Sequence, residues 1–371
     1  MIKDIAALRQ ASHRFSDGSF EHPGNVVEWM GAMQAQEFTM AKWAVGVRLP
    51  WATDTAVQAA FDRGEFLRTH VMRPTWHFVT PANIRWMLAL TAPRIISLTR
   101  ANHNELELDE RLCGRCEELI ARILSGGRSL TREQMGLELE QAGVRITHSL
   151  GTQGSRGKLL DRARLTNIMI RAELDAIVCS GPMQGGKQTY ALFDERVPRA
   201  PQQSRDEALA MLARNYFRSH APASPSDFAW WSGLSAVDVR QAVGAVRAEF
   251  DCEGDYLFNR NFGHAATGNA LLLPAFDEYI VAYRDRSAVL TAERHTRAVS
   301  SNGIFRPVIV ERGRVVGLWR RVVKGKRVVA VPEFFDGAAS VDLSLALADF
   351  NAFVDEQASE MSAQLRAKTI C

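Results

Sequence analysis

Two glutamines separated by one small residue, Gln34-Ala35-Gln36, are the side chains here whose type and spacing best suit chemistry. A carboxamide offers an acceptor oxygen and two donor hydrogens, so a pair can hold a polar group and a water together. Neither takes a full proton at neutral pH, so the pair suits orientation and electrostatic stabilisation rather than general-base work. The spacing sets a condition. On a helix, positions two apart point about 200° apart, whereas on extended chain they share one face. The pair can therefore act together only where the chain leaves the helix whose apolar face is Val26, Val27, Met30 and Met33. Glu37 follows and is ionisable, but in extended chain its side chain faces away from its neighbour's. Taken alone, two exposed glutamines at a helix end are the plainer reading.

Other motifs fail. Cys113 and Cys116 form a CxxC with no second Cys or His pair at finger spacing, so they read as two small apolar residues on one helix face. GTQGSRGKLL resembles a phosphate loop, but Gly151 to Gly157 is one residue too long and Leu159 stands where a Ser or Thr would hold magnesium. GxSxG, HExxH and HxH patterns are absent, and His77, between Trp76 and Phe78, reads as packing. We expect no metal and no cofactor.

The chain has 371 residues, 46% hydrophobic and 23% charged, enough for two or three packed cores. No apolar run reaches the roughly 20 residues that span a bilayer, and the start lacks a signal-peptide pattern. Five cysteines without regular spacing fit a reducing compartment, so a cytoplasmic location is expected. The net charge of +3 is unevenly divided. Residues 145–171 carry six Lys or Arg against Asp161, and residues 294–327 carry ten against Glu311, which leaves the rest of the chain at −11. An acidic body with two basic segments is a focused field of the kind polyanions answer to.

The elements that must position these residues follow one plan three times: short helices, then a pair of strands. In the first copy, helices near residues 4–14, Asn25–Met33 and from Thr53-Asp54 to Gly64 precede FLRTHVM and TWHFV, split by Arg73-Pro74. In the second, a helix at 105–124 and a capping box at Thr131–Gln134 lead to KLLDRARLTNIMIRAEL. Its expected apolar stripe is Leu159, Ala163, Ile170 and Leu174, with Arg162 and Arg164 elsewhere. Gly185-Gly186 then joins AIVCSG to QTYALF. In the third, Ser204, Ser224 and Ser235 begin helices and DYLFNRNF follows. Helix–helix–helix–hairpin is the plan of a winged helix, whose third helix enters the major groove. The last third, from ALLLPAFDEYIVAYRD to KRVVAVPEFF, reads as alternating strands of a small antiparallel barrel or sheet, crossed by a helix at about Ser344–Arg366. The best break before it lies near Gly263–Gly268. The expected class is α+β, tandem winged-helix units followed by a small C-terminal antiparallel β-barrel.

Five blocks stand in an order and spacing that together are specific: MQAQEF, RTHVMRPTWHFVTP, RNYFRSHAPASPSDFAWWSGL, LLPAFDEYIVAYRDR and GIFRPVIVERGRVVGLWRR. Over nearly its whole length the chain is similar to the bacterial winged-helix DNA glycosylase family that includes AlkZ and YcaQ. The resemblance implies tandem winged helices with a C-terminal barrel, placed here at 1–100, 101–200, 201–265 and 266–371. It implies excision of N-alkylated bases, unhooking of interstrand crosslinks, and a catalytic Gln–x–Gln or Gln–x–Asp element. Gln34 and Gln36 fall on the first form; the second form's Asp is not at position 36. The chemistry is consistent with two carboxamides. An N3- or N7-alkylated purine already carries positive charge and leaves without protonation, so the enzyme need only stabilise an oxocarbenium-like sugar and place a water.

For contacts to double-stranded DNA we expect Arg73 at the first hairpin tip and Arg156, Lys158 and Arg162 on the second copy's third helix. In the last third, the candidates are Arg312 and Arg314 around Gly313, with Arg320 and Arg321 beyond Trp319. The competing reading is a non-enzymatic DNA-binding regulator, which would usually dimerise to read paired half-sites. No heptad or long apolar terminal helix points to a dimer, so a monomer is expected.

Overall fold

The computed structural model describes residues 2, 4–15, 18–147, 154–259, 269–325, 327–335 and 341–355. Met1–Ala60 and Leu209–Cys371 form one compact unit, and Phe61–Ala208 the other. Asp4 caps α1 (Ile5–Ser12) by accepting the N–H of Ala7. α2 (Pro23–Met30) opens on a proline whose missing N–H costs nothing and stops at Gly31, where a φ of +75° needs a residue without a Cβ. The short strand β1 (Met33–Gln34) leads into α3 (Phe38–Gly46). The Thr53 hydroxyl accepts the Ala56 N–H and opens α4 (Asp54–Arg63).

In the second unit, β2 (Leu67–His70) and β3 (Trp76–Val79) pair antiparallel, with Arg68 opposite Phe78 and the turn at Arg73-Pro74. α5 (Pro81–Glu105) and α6 (Glu110–Leu124) follow. β4 (Ser129–Thr131) precedes α7 (Arg132–Gln141), which opens with the expected capping box between Thr131 and Gln134. α8 (Gly154–Leu174) leads to β5 (Val178–Ser180) and β6 (Thr189–Leu192), and the sheet order is β4-β6-β5. Gly185 and Gly186 make the turn between β5 and β6. α9 (Phe193–Arg196) closes the unit. Its core holds Cys113, Cys116, Ile120 and Leu124 of α6, Met135 and Leu139 of α7, and Ile168, Met169 and Ala172 of α8.

α8 buries Leu174 of the expected stripe and packs Ala163 against the core, but departs from the stripe at Leu159 and Arg164. Leu159 is 65% exposed, while Arg164 is 3% exposed and its guanidinium donates to the carbonyls of Leu106 and Glu107. An arginine whose donors reach backbone acceptors can lie inside, and periodicity alone cannot see those acceptors.

The first unit resumes with α10 (Arg205–His220), α11 (Pro225–Ser232) and α12 (Ala236–Val246). Ser224 and Asp227 form a capping box for α11, and Ser235 caps α12. β7 (Asp251–Glu253) and β8 (Tyr256–Phe258) make a hairpin. The break expected near Gly263–Gly268 lies outside the described residues. Beyond it come β9 (Leu271–Leu273), α13 (Glu278–Val281), α14 (Ala292–Ala298), β10 (Val308–Glu311), β11 (Arg314–Lys324), β12 (Arg327–Phe334) and α15 (Ser344–Val354). Within ALLLPAFDEYIVAYRD only Leu271–Leu273 is a strand; Asp277 caps a helical turn in what the alternation makes a longer strand. The sheet order is β12-β11-β10-β9, antiparallel throughout. Among the described residues this sheet is open. The architecture is a mixed α+β fold with several small antiparallel sheets.

β11 outruns β10. Its pairing with β10 ends at Leu318, whereas it pairs with β12 from Gly317 to Lys324. Residues 320–324 and 327–331 thus pair as a two-stranded arm beyond the end of β10.

Candidate active site

Gln34 closes β1 and is 6% exposed, and its backbone N–H donates to Glu278 Oε1 at 2.5 Å. Ala35 is buried. Gln36 and Glu37 are exposed, in a bend that enters α3, with Glu37 at the helix cap. The pair lies off both helices, but its side chains do not share one face: Gln34 is buried and Gln36 exposed. The paired strand ends at Gln34, and Glu37 is again in extended conformation at the start of α3. An inner carboxamide of this kind holds its direction through packing, while the outer one faces solvent.

Behind β1 lies a buried polar network, all within the first unit. Glu278 takes a second donor, the indole N–H of Trp231, on Oε2 at 3.0 Å, and His220 Nε2 lies 3.5 Å from the same oxygen. Arg48 donates to both oxygens of Asp277 at 2.9 Å, to the Ala44 carbonyl at 2.8 Å, and to His13 Nδ1 at 3.0 Å. A guanidinium only donates, so His13 Nδ1 accepts and its proton sits on Nε2, donated to the Tyr283 oxygen at 3.0 Å. Tyr283 passes its own proton to the His220 carbonyl at 2.8 Å. Burial, then the nearby His220, Arg48 and Arg9, hold the His13 pKa well below the usual imidazole value, in keeping with a neutral ring. Arg9 stacks over the Tyr283 ring at 3.7 Å and lies 3.6 Å from Asp227.

The expected DNA-contact residues fall into different settings. Arg312, with a φ of +46°, and Arg314 are exposed on either side of buried Gly313. A Cβ at Gly313 would meet backbone of Ala6 at 2.9 Å, and Tyr279 donates to the Gly313 carbonyl at 2.8 Å, so the turn is seated against α1. Arg320 and Arg321 are exposed on the arm. Lys158 and Arg162 are exposed on α8; the Arg156 side chain lies outside the described residues. Arg73 is half-buried in its turn. The basic segment 145–171 is less open than its charge implies: besides buried Arg164, Arg171 is paired with Glu110 and Asp175, and Arg145 with Glu107.

Cys113 and Cys116 lie in the α6 core, where burial pushes both thiols up to about 11. His77 is wholly buried and donates Nδ1–H to the Thr75 carbonyl at 2.9 Å. The glycine-rich stretch starts at Gly151, outside the described residues. Sequence reasoning missed Glu278 and Trp231, and on the arm Lys324 and Arg327, both exposed. The signal for Glu278 was two adjacent acids inside the apolar run LLPAFDEYIV.

A family model described as DNA glycosylase AlkZ-like matches residues 27–363, and the chain belongs to this family of DNA glycosylases, hydrolases acting on N-glycosyl bonds. It is 24% identical over 326 residues to an interstrand DNA cross-link repair glycosylase of Streptomyces sahachiroi, covering 83% of this chain and 85% of that one. The solved structure of the Streptomyces sahachiroi DNA glycosylase AlkZ has the same fold, with a TM-score of 0.73 at 23% identity and 96% of each chain covered.

Proposed function

We propose that this glycosylase releases cationic N-alkylated purines from duplex DNA, interstrand crosslinks through such positions included, with Gln34 and Gln36 as the catalytic pair. The observation that carries the reading is the placement of Gln34-Ala35-Gln36 on non-helical chain, its first carboxamide packed and its second exposed. Positive charge on the base makes it a leaving group that needs no acid. The carboxamide dipoles then stabilise the sugar as it becomes cationic and orient a water toward C1′. No ionisable base is demanded, which confines the substrates to lesions already charged.

The units binding the duplex are three tandem winged helices, at 1–100, 101–200 and 201–265, followed by a region at 266–371 built on a small open antiparallel sheet. Support comes from the repeated helix–helix–helix–hairpin order and from the exposed Lys158 and Arg162 on the second copy's third helix. DNA contacts come from these, from Arg73 and Arg156, from the Arg312–Arg314 turn and from the arm with Arg320 and Arg321. The chain works as a monomer in the cytoplasm. No helix of the described residues is long and apolar enough to cross a membrane.

The test is incubation with a duplex carrying one N7-methylguanine, followed by alkaline cleavage at abasic sites. Strand breaks at the lesion are expected, and a parallel duplex crosslinked through guanine N7 should be unhooked. Absence of product from both duplexes overturns the reading.

A further inference from the structure

Glu278 accepts the backbone N–H of Gln34 from behind the candidate catalytic segment, and its partners do not explain it as a structural ion pair. It is 1% exposed, with no Lys or Arg within salt-bridge distance among the described residues; its ionisable neighbour is His220 at 3.5 Å. Its two oxygens each take one N–H: Oε1 that of Gln34, Oε2 that of Trp231. A carboxylate is the acceptor-only group that can satisfy two converging donors, since an amide has one oxygen and would turn its NH2 on the other. Trp231 is wholly buried, packed against Tyr216 with ring centroids 5.0 Å apart and the rings tilted by 38°. Tyr216 in turn lies 4.8 Å from the His220 ring, nearly parallel to it. The indole is thus a rigid post. Glu278 is itself held by the turn that Asp277 caps and Arg48 anchors.

We propose that Glu278 is a positioning residue for base release: its carboxylate ties the Gln34 backbone to the Trp231 post and so sets where both carboxamides stand. This rests on the reading of Gln34 and Gln36 as the catalytic pair. Glu278 touches neither DNA nor water in this role. Loosening the tie misplaces groups whose geometry is the whole of their contribution, and a misplacement of about 1 Å costs on the order of a hundredfold in rate.

The test uses single-turnover release of N7-methylguanine at saturating full-length enzyme, with duplex Kd and thermal melting measured on the same samples. E278Q is expected to lose about a hundredfold in rate, with Kd within a few-fold and the melting transition still well above the assay temperature. W231F removes the second donor. That breaks the same tie at its other end, so W231F should lose rate as E278Q does, and the double variant E278Q/W231F should be little slower than either single variant. Should E278Q fail to fold, E278D serves instead. It keeps the charge but withdraws the carboxylate by one methylene, and should lose rate with unchanged Kd. A folded E278Q or E278D at the wild-type rate overturns the proposal, as does a double variant whose losses simply multiply. Wild-type enzyme releasing no base would sink the glycosylase reading itself. Base release that survives Q34A and Q36A would sink the catalytic pair, so each failure is told apart.

Discussion

Arg48 and Asp277 face each other through two hydrogen bonds of 2.9 Å, with both side chains wholly buried. Asp277 caps the turn that presents Glu278 to Gln34, so this ion pair underpins the candidate site from 229 residues away in sequence. Removing one partner strands a buried charge. Arg48→Met should cost about 3–5 kcal/mol of stability, read as a fall in the urea midpoint. Arg48→Met with Asp277→Asn should recover part of that loss, because no unpaired ion remains.

Gln34→Ala and Gln36→Ala should each slow base release by about ten- to a thousandfold, the scale of one lost transition-state contact. Duplex affinity should stay within a few-fold, since the pair is proposed to act on sugar and water rather than on the backbone. Glu37→Gln should leave the rate unchanged and the profile flat around neutral pH. A rate that survives both glutamine substitutions but dies with Glu37→Gln would install a carboxylate base in their place.

Salt dependence reports phosphate contacts. Arg312→Ala with Arg314→Ala should lower the slope of log K against log salt by about two, and Arg320→Ala with Arg321→Ala should do likewise. Fluorescence anisotropy on an undamaged duplex between low and moderate salt measures both. A slope equal to wild type removes the turn or the arm from the interface.

His77 should make the protein acid-sensitive. Burial first, then the charge of Arg73, pulls its pKa down to about 3, with the bond to the Thr75 carbonyl acting in the opposite direction. The unfolded chain therefore takes up the proton first. Stability is intact above an ordinary imidazole pKa of about 6.5 and is lost as pH falls from there toward about 3. His77→Asn keeps a donor for Thr75 without titrating in this range. Between pH 6.5 and 5 its stability should fall by about 1.5 kcal/mol less than that of wild type, measured by urea unfolding.

Much of this was legible in the residues because its causes are local. Thr131, Ser224 and Ser235 cap helices where their hydroxyls reach the next turn, and Gly31 stops α2 where a side chain would be strained. The Gln34-Ala35-Gln36 segment was legible as chain that must leave a helix. What escaped depends on partners far along the chain. Arg164 looks like a surface cation until the carbonyls of Leu106 and Glu107 come to it. DEYIV alternates like a strand, but Asp277 and Arg48 make a capped turn of it. Glu278 is invisible as a support for Gln34, because the bond between them spans 244 residues.

The arm beyond Leu318 has a consequence for solution behaviour as well as for recognition. A strand that outlasts its neighbour leaves backbone N–H and C=O groups along one edge, which invites another chain to add itself there. Val322 and Val323 supply the β-branched surface on which such edge pairing feeds. Arg320, Arg321, Lys324 and Arg327 surround them, and mutual repulsion between two such arms opposes pairing of that kind. The same cations proposed to meet phosphate therefore act as gatekeepers against self-association. Neutralising them should leave an adhesive edge, with light scattering rising as the charge is removed.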